Sequence, residues 1–116
     1  MYNFSYLIGR LTTDPEVKET ENGKSVCNLT LAVQRTYKNA DGIYEADFIR
    51  CVLWDAIAKN TSEYCHKGDL IAVRGQLRTS SYVGANNEKK YGTELLVERL
   101  VFLSTKNEEK EELSTN

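Results

Sequence analysis

The sequence predicts an all-β protein, a five-stranded barrel with one helix between the third and fourth strands and long hairpin loops. Two observations support this fold class. Apolar and polar residues alternate over most of the chain, as half-buried strands require. Turn signals, including Asn22-Gly23 and Asp41-Gly42, separate the alternating segments. With 116 residues and 41% apolar content, the chain is expected to form one domain around one small core.

Three strands are predicted before the helix, over residues 3–11, 24–37 and 45–54. Side chains two positions apart on a strand share a face, so the alternation assigns each residue to the core or to the outside. The residues assigned to the core are Cys27, Leu29, Leu31 and Val33 in the second strand and Ile49, Cys51 and Leu53 in the third. The opposite face of the third strand carries Phe48, Arg50, Val52 and Trp54.

The helix is predicted over residues 55–67, with Asp55 as a candidate N-cap. The strand at residues 69–79 follows, and a loop at residues 83–92 leads to the last strand, residues 92–103. In the fourth strand the apolar face is assigned to Ile71, Val73 and Leu77 and the polar face to Arg74, Gln76 and Arg78. This order of elements is that of an OB-fold, in which the helix plugs one barrel end and an exposed sheet face binds oligonucleotides.

The charge distribution limits how such a barrel could bind nucleic acid. The formal net charge is -2 and the pI is about 5.5. The negative excess lies entirely in residues 104–116, which hold four Glu and two Lys, so the rest of the chain is neutral. A uniformly basic surface is therefore excluded, and affinity for nucleic acid has to come from base stacking and from locally arranged cations.

Four aromatic residues are candidates for base stacking. Phe48 and Trp54 lie six residues apart on one strand, so both project from the same face with Arg50 between them. Tyr37 ends the preceding strand, and Tyr82 follows the fourth. A base stacked on such a ring contributes about 1–3 kcal/mol without any sequence match. The alternative is that each ring belongs to the core or rim, and Trp54 could pack under the helix that it precedes.

Seven cations are candidates for phosphate contacts: Arg35, Lys38, Arg50, Arg74, Arg78, Lys89 and Lys90. Lys89 and Lys90 are expected in a mobile loop. If about four cations contacted phosphates at once, a plot of log affinity against log salt concentration would have a slope of about -3. The alternative is an ordinary solvated strand face, or an edge protected against aggregation.

The sequence contains no motif typical of an enzyme active site, a metal site or a cofactor site. His66 is the single histidine and lies late in the helix, where a helix-end role is usual. The three cysteines, Cys27, Cys51 and Cys65, lack the close spacing of a zinc site, and the glycines form no phosphate-binding motif. We therefore expect a protein without catalytic residues, metal or cofactor. An odd number of cysteines, with no secretory or membrane-spanning segment, favours reduced thiols in the cytoplasm.

Several segments resemble the bacterial and phage single-stranded DNA-binding protein family. They are LIGRLTTDPEV, NLTLAVQRTY, ADFIRCVLW and AIAKNTSEYCHKGDLIAVRGQLRT with the Tyr82 that follows, and the resemblance covers about residues 2–103. It implies an OB-fold that assembles as a homotetramer, associates with the nucleoid and protects single-stranded DNA in replication, recombination and repair. It also implies base stacking on Tyr37, Phe48, Trp54 and Tyr82.

Two expectations concern the domain boundary and the C-terminal residues. Residues 1–103 are expected to form the DNA-binding domain and residues 104–116 a short acidic disordered tail. The family's C-terminal peptide, which ends in Pro-Phe and recruits other genome-maintenance proteins, is expected to be absent or altered, since the sequence ends in NEEKEELSTN. The alternative function is an OB-fold protein-interaction module of replisome or primosome assembly, in which the four rings would not contact DNA.

Overall fold

A computed structural model describes residues 1–105, with the exception of the Tyr82 side chain. The elements are β1 (Ser5–Leu11), β2 (Val17–Glu19), β3 (Ser25–Lys38), β4 (Tyr44–Trp54), α1 (Asp55–Tyr64), β5 (Leu70–Val83) and β6 (Lys89–Ser104). The predicted all-β class and the helix between the third and fourth long strands are confirmed. The short β2, which pairs with β3, is an addition to the prediction. Most of the predicted acidic tail lies outside the described residues.

The strands close into a barrel. Their order is β1-β5-β6-β4-β3-β2, and β1 pairs with β3 as well as with β5. Most neighbours are antiparallel, but β4 and β6 meet in a short parallel seam that pairs Cys51 with Leu95 and Val52 with Leu96. The closed five-strand barrel with one helix has the architecture of an OB-fold.

The core fills the barrel with the side chains that the alternation assigned to it. Cys27, Leu31 and Leu53 are fully buried, as are Ile71 and Leu95. The assignment was wrong for Leu77, which is 45% exposed although it pairs with the buried Leu95. Leu77 lies two residues beyond Gly75, the last residue of β5 that pairs with β1.

Two hairpin arms extend from the barrel. The β3–β4 arm turns at residues 39–43, where the Asn39 side chain accepts hydrogen bonds from the backbone N–H groups of Asp41 and Ile43 at 2.9 and 3.0 Å. The β5–β6 arm remains paired out to Val83 and Lys89. The predicted loop at residues 83–92 is therefore wrong. Its polar residues form strand ends instead, and the turn shrinks to residues 84–88.

The helix starts at Asp55, as predicted, but its N-cap residue and its end differ from the prediction. Trp54 occupies the N-cap position without a side-chain cap bond, whereas Asp55 lies in the first turn with a φ of 54°. The helix ends at Tyr64, because the following turn is fixed by carboxylates. Asp69 accepts a hydrogen bond from the N–H of His66 at 2.7 Å, and Asp14 accepts one from the N–H of Lys67 at 2.8 Å. Within residues 1–105 no helix has the length and apolar character to cross a membrane.

A close backbone approach sets the path of the β5–β6 arm. A Cβ atom on Gly75 would lie 1.9 Å from the Leu96 carbonyl oxygen. At the same place the register shifts, because Arg74 pairs with Arg99 whereas Gly75 pairs with Val97. Glu98 is therefore an extra residue in β6, a β-bulge that bends the strand where the arm begins.

Candidate nucleic-acid interface

The outer surface of β3 and β4 carries aromatic rings beside small residues. Phe48 lies opposite Ala32, and Trp54 lies opposite Val26. Phe48 is 67% exposed and Trp54 37%, so Phe48 is largely open, whereas Trp54 is mostly covered. The two residues are separated by about 20 Å along the strand, at about 3.3 Å per residue. We call this surface, defined by Phe48, Arg50 and Trp54, the aromatic face.

The two remaining predicted rings belong to the arms. Tyr37 is 63% exposed near the end of β3, where the register with β4 is broken between Gln34 and Lys38. Tyr82 lies in β5 with its backbone paired to Lys90, and its side chain is outside the described part of the chain. The structure thus brings Phe48 and Trp54 onto one face and assigns Tyr37 and Tyr82 to separate hairpin arms.

The predicted cations of the arms are strand residues. Lys89 and Lys90 lie in β6 rather than in a mobile loop, so that part of the prediction was wrong. As consecutive strand residues they project from opposite faces of the arm. Lys89 lies 5.8 Å from the centroid of the Tyr91 ring, and Lys38 lies 5.5 Å from that of Tyr44. The sequence analysis did not select these two exposed tyrosines. For Tyr91, the Lys two positions earlier on the same strand indicated that the two side chains share a face.

Arg35 is held by two carboxylates. Its guanidinium donates to Asp47 at 2.8 Å and to Glu45 at 3.0 Å. The hydrogen bond from Arg35 lowers the pKa of Asp47, and the same bond raises the pKa of Arg35. Arg35 and Asp47 are therefore both ionised at neutral pH. Because Arg35 is also bonded to Glu45, it adds little net positive charge to the arm.

Arg74 and Arg78, although predicted on one polar face, have different surroundings. Arg78 lies directly opposite Glu94 in the β5–β6 pair. Arg74 lines a cleft of about 190 Å³ together with Tyr6, Arg99 and Val101. No residue of that cleft belongs to the aromatic face, so Arg74 is separated from the predicted stacking rings.

A polar cleft of about 270 Å³ opens on the aromatic face. We call it the central cleft. It spans three strands and the segment after β1, and its polar lining residues are Thr12, Thr13, Asn28, Thr30, Arg50 and Glu94. Sequence reasoning missed all of them except Arg50. The outward positions of Asn28 and Thr30 were visible in the alternation of β3, but the contribution of Glu94 depends on the pairing of β4 with β6.

The cysteines are packed in the hydrophobic core. All three are free and buried. Burial raises the pKa of Cys51 to about 12 and also raises the pKa values of Cys27 and Cys65. The thiolate is the reactive form, so these side chains are chemically inert in the folded protein. In the part of the chain that the structure describes, no three His, Cys, Asp or Glu residues are grouped to hold a metal ion.

A closed barrel with exposed rings, cations and a polar cleft on one outer face defines an oligonucleotide-binding type of β-barrel protein. The sequence pattern of the single-strand binding protein family matches residues 2–103. The chain belongs to this family.

Three relatives illustrate the range of the family. The chain is 44% identical over 110 residues to single-stranded DNA-binding protein B of Bacillus subtilis (strain 168), covering 95% of this chain and 97% of the relative. It is 45% identical to the single-stranded DNA-binding protein of Bacillus cereus, covering 92% of this chain and 63% of that relative. It is 42% identical to single-stranded DNA-binding protein 1 of Staphylococcus aureus (strain Mu50), with 92% and 69% covered. The chain thus spans nearly all of the first relative and about two thirds of the other two.

Proposed function

We propose that the chain binds single-stranded DNA without requiring a particular sequence. The observation that carries this proposal is the aromatic face, where Phe48 and Trp54 flank Arg50 on one strand. A single exposed ring is ordinary, whereas rings grouped with a cation on one strand face form a surface that a partner can cover. Every base has a flat face that a ring can cover, and a cation between two rings meets the backbone that joins the bases.

The four predicted rings act together in this proposal. Bases stack on Phe48 and Trp54, and Tyr37 and Tyr82 add stacking from the two arms. Phosphates are contacted by the predicted cations, of which Arg50, Arg78, Lys38, Lys89 and Lys90 are the principal ones. Arg35 and Arg74 contribute less, because the first is neutralised by Asp47 and Glu45 and the second lies in another cleft.

Family membership supports the wider role of coating and protecting single-stranded DNA in replication, recombination and repair. The chain acts there by binding, not by catalysis, in the cytoplasm at the nucleoid.

Assembly into a homotetramer is part of the proposal. Apolar side chains face outward on β1 and β6, where Tyr6, Ile8 and Val101 are 57%, 49% and 40% exposed. Neighbouring apolar side chains of this kind on a small domain favour contact with a second copy. Light scattering of the wild type and of Ile8→Glu tests this: the wild type should have four times the monomer mass of 13.2 kDa, and the variant a smaller mass. A monomeric wild type would contradict the tetramer.

DNA binding is tested by titration with oligo(dT) at low salt. Trp54 is the only tryptophan of the chain, and stacking of a base on it should quench its fluorescence. No binding of oligo(dT) at low salt would refute the proposal. Replacement of Tyr37, Phe48, Trp54 and Tyr82 by Ala separates DNA binding from a protein-interaction role, because it should abolish DNA affinity and leave the surfaces of the other strands intact.

A further inference from the structure

The central cleft contains a carboxylate on a surface proposed to meet an anionic ligand. Glu94 is half-buried and lines the cleft together with Arg50 on the adjacent strand and Thr30 beyond it. A negative charge at this position repels phosphate, so a surface that served only backbone binding would gain affinity by losing it. Glu94 lies opposite Arg78 and lines the cleft with Arg50. A carboxylate has about four acceptor sites, so beside these cations it can still accept from a donor, which a phosphate group does not supply.

The position of the cleft determines what enters it. Arg50 is two residues after Phe48, and Val52, also part of the lining, is two residues before Trp54. A DNA strand that follows β4 from one ring to the other crosses the cleft between them. The nucleotide that crosses meets side chains capable of hydrogen bonding, not a ring.

The chemistry of the lining selects among the bases. An ionised carboxylate only accepts hydrogen bonds, whereas a guanidinium only donates them. Cytosine offers an N4 amino donor, which carboxylates are known to bind, whereas thymine presents an O4 acceptor at the same place. The guanidinium of Arg50 has five donors, so it can donate to the remaining acceptors of cytosine as well as to a phosphate. A thymine in the same orientation would direct O4 at the carboxylate.

We propose that the central cleft is a base-reading subsite in which Glu94 accepts a hydrogen bond from the exocyclic amino group of one cytosine. This inference rests on the proposed function and adds a local preference to otherwise sequence-tolerant binding. The competing explanation is that Glu94 only balances Arg78, which lies directly opposite on β5. In that case its charge acts on every DNA strand alike.

The experiment compares the affinities of oligo(dC) and oligo(dT), each about 12 nucleotides long, which is within the range that one OB-fold covers. The wild type, Glu94→Gln and the control Glu98→Gln are measured at one salt concentration. Glu98 is an exposed bulge residue of the same strand that lines a different cleft, beside α1, so the control removes the same charge away from the aromatic face.

Glu94→Gln should weaken oligo(dC) binding and leave oligo(dT) binding equal or stronger, so that the ratio of the two dissociation constants changes by about fivefold or more. Glu98→Gln should leave the ratio unchanged. An equal change for both oligomers in Glu94→Gln would overturn the subsite and support simple charge balance. Glu94→Thr, which also removes the carboxylate and suits a strand, must shift the ratio in the same direction. Failure of the wild type to bind oligo(dT) would instead refute the proposed function itself.

Discussion

Phe48→Ala should weaken DNA binding about 30-fold and lower stability only modestly. If the ring has roughly 150 Å² of accessible surface, its 67% exposure leaves about 100 Å², of which one stacked base covers about half. At about 25 cal/mol per Å², covering 50 Å² contributes about 1.3 kcal/mol. The preferred geometry of stacked rings adds about 0.5–1.5 kcal/mol. The total of about 2 kcal/mol corresponds to the predicted factor.

The same exposure limits the effect of this substitution on folding. The buried third of the ring, about 50 Å² opposite Ala32 on β3, contributes about 1.3 kcal/mol to stability at the same coefficient. Fluorescence anisotropy of a labelled oligo(dT) gives the affinity, and chemical denaturation gives the free energy of unfolding. Tyr64→Ala is the matched control, since it removes a ring that is 71% exposed on α1. A dissociation constant within twofold of the wild type, or equal losses in the two variants, would refute the stacking argument.

Three further predictions concern the barrel, a thiol and the salt dependence of binding. Gly75→Ala should lower the free energy of unfolding by more than about 2 kcal/mol, because its Cβ atom would overlap the Leu96 carbonyl oxygen and force β5 and β6 apart. Cys51 should resist a thiol reagent at pH 8 until denaturant is added, and its raised pKa should make the protein lose stability as the pH rises from 9 toward about 12. Arg78→Gln should reduce the magnitude of the log–log salt slope by roughly 0.7, whereas Arg35→Gln should leave it nearly unchanged.

Each of these predictions has a result that contradicts it. Gly84→Ala is the control for Gly75, since its Cβ atom would meet carbon atoms of the flexible Lys90 side chain at 3.0 Å. Equal stability losses in the two glycine variants would show that the close approach of the Leu96 backbone does not cause the loss in Gly75→Ala. Rapid modification of Cys51 in the native protein would contradict its burial. A slope reduced equally by the two arginine substitutions would show that Arg35 reaches phosphate despite its carboxylate partners.

Much of the barrel could be predicted because its strands have one face in the core and one in solvent. This gives β3 a clear period of two from Cys27 to Leu31, and the period alone identifies the inward face. The arms carry no such signal. Residues 78–81 of β5 and 89–91 of β6 are exposed on both faces, and these strand ends are held by their mutual pairing rather than by burial. The three-residue β2 and the exposure of Leu77 likewise depend on which strands are neighbours.

The candidate site was predictable to a similar degree. Strand parity was sufficient to assign Phe48 and Trp54 to one outer face. It could not show that Arg35 is held by Asp47, because that contact depends on the register between β3 and β4. The contribution of Glu94 to the central cleft has the same origin, since β6 reaches β4 only through closure of the barrel.

The parallel seam between β4 and β6 has a consequence for local unfolding. The two walls of the central cleft lie on opposite sides of this seam, with Arg50 on β4 and Glu94 on β6. A DNA strand lying across the cleft joins the two walls and opposes their separation, because opening the seam would break contacts to both sides at once. Amide hydrogen exchange at Val52 and Leu96 should therefore slow more on binding oligo(dT) than exchange on the far side of the barrel, between β1 and β5. Bound DNA would therefore stabilise the barrel against local opening at the seam between β4 and β6.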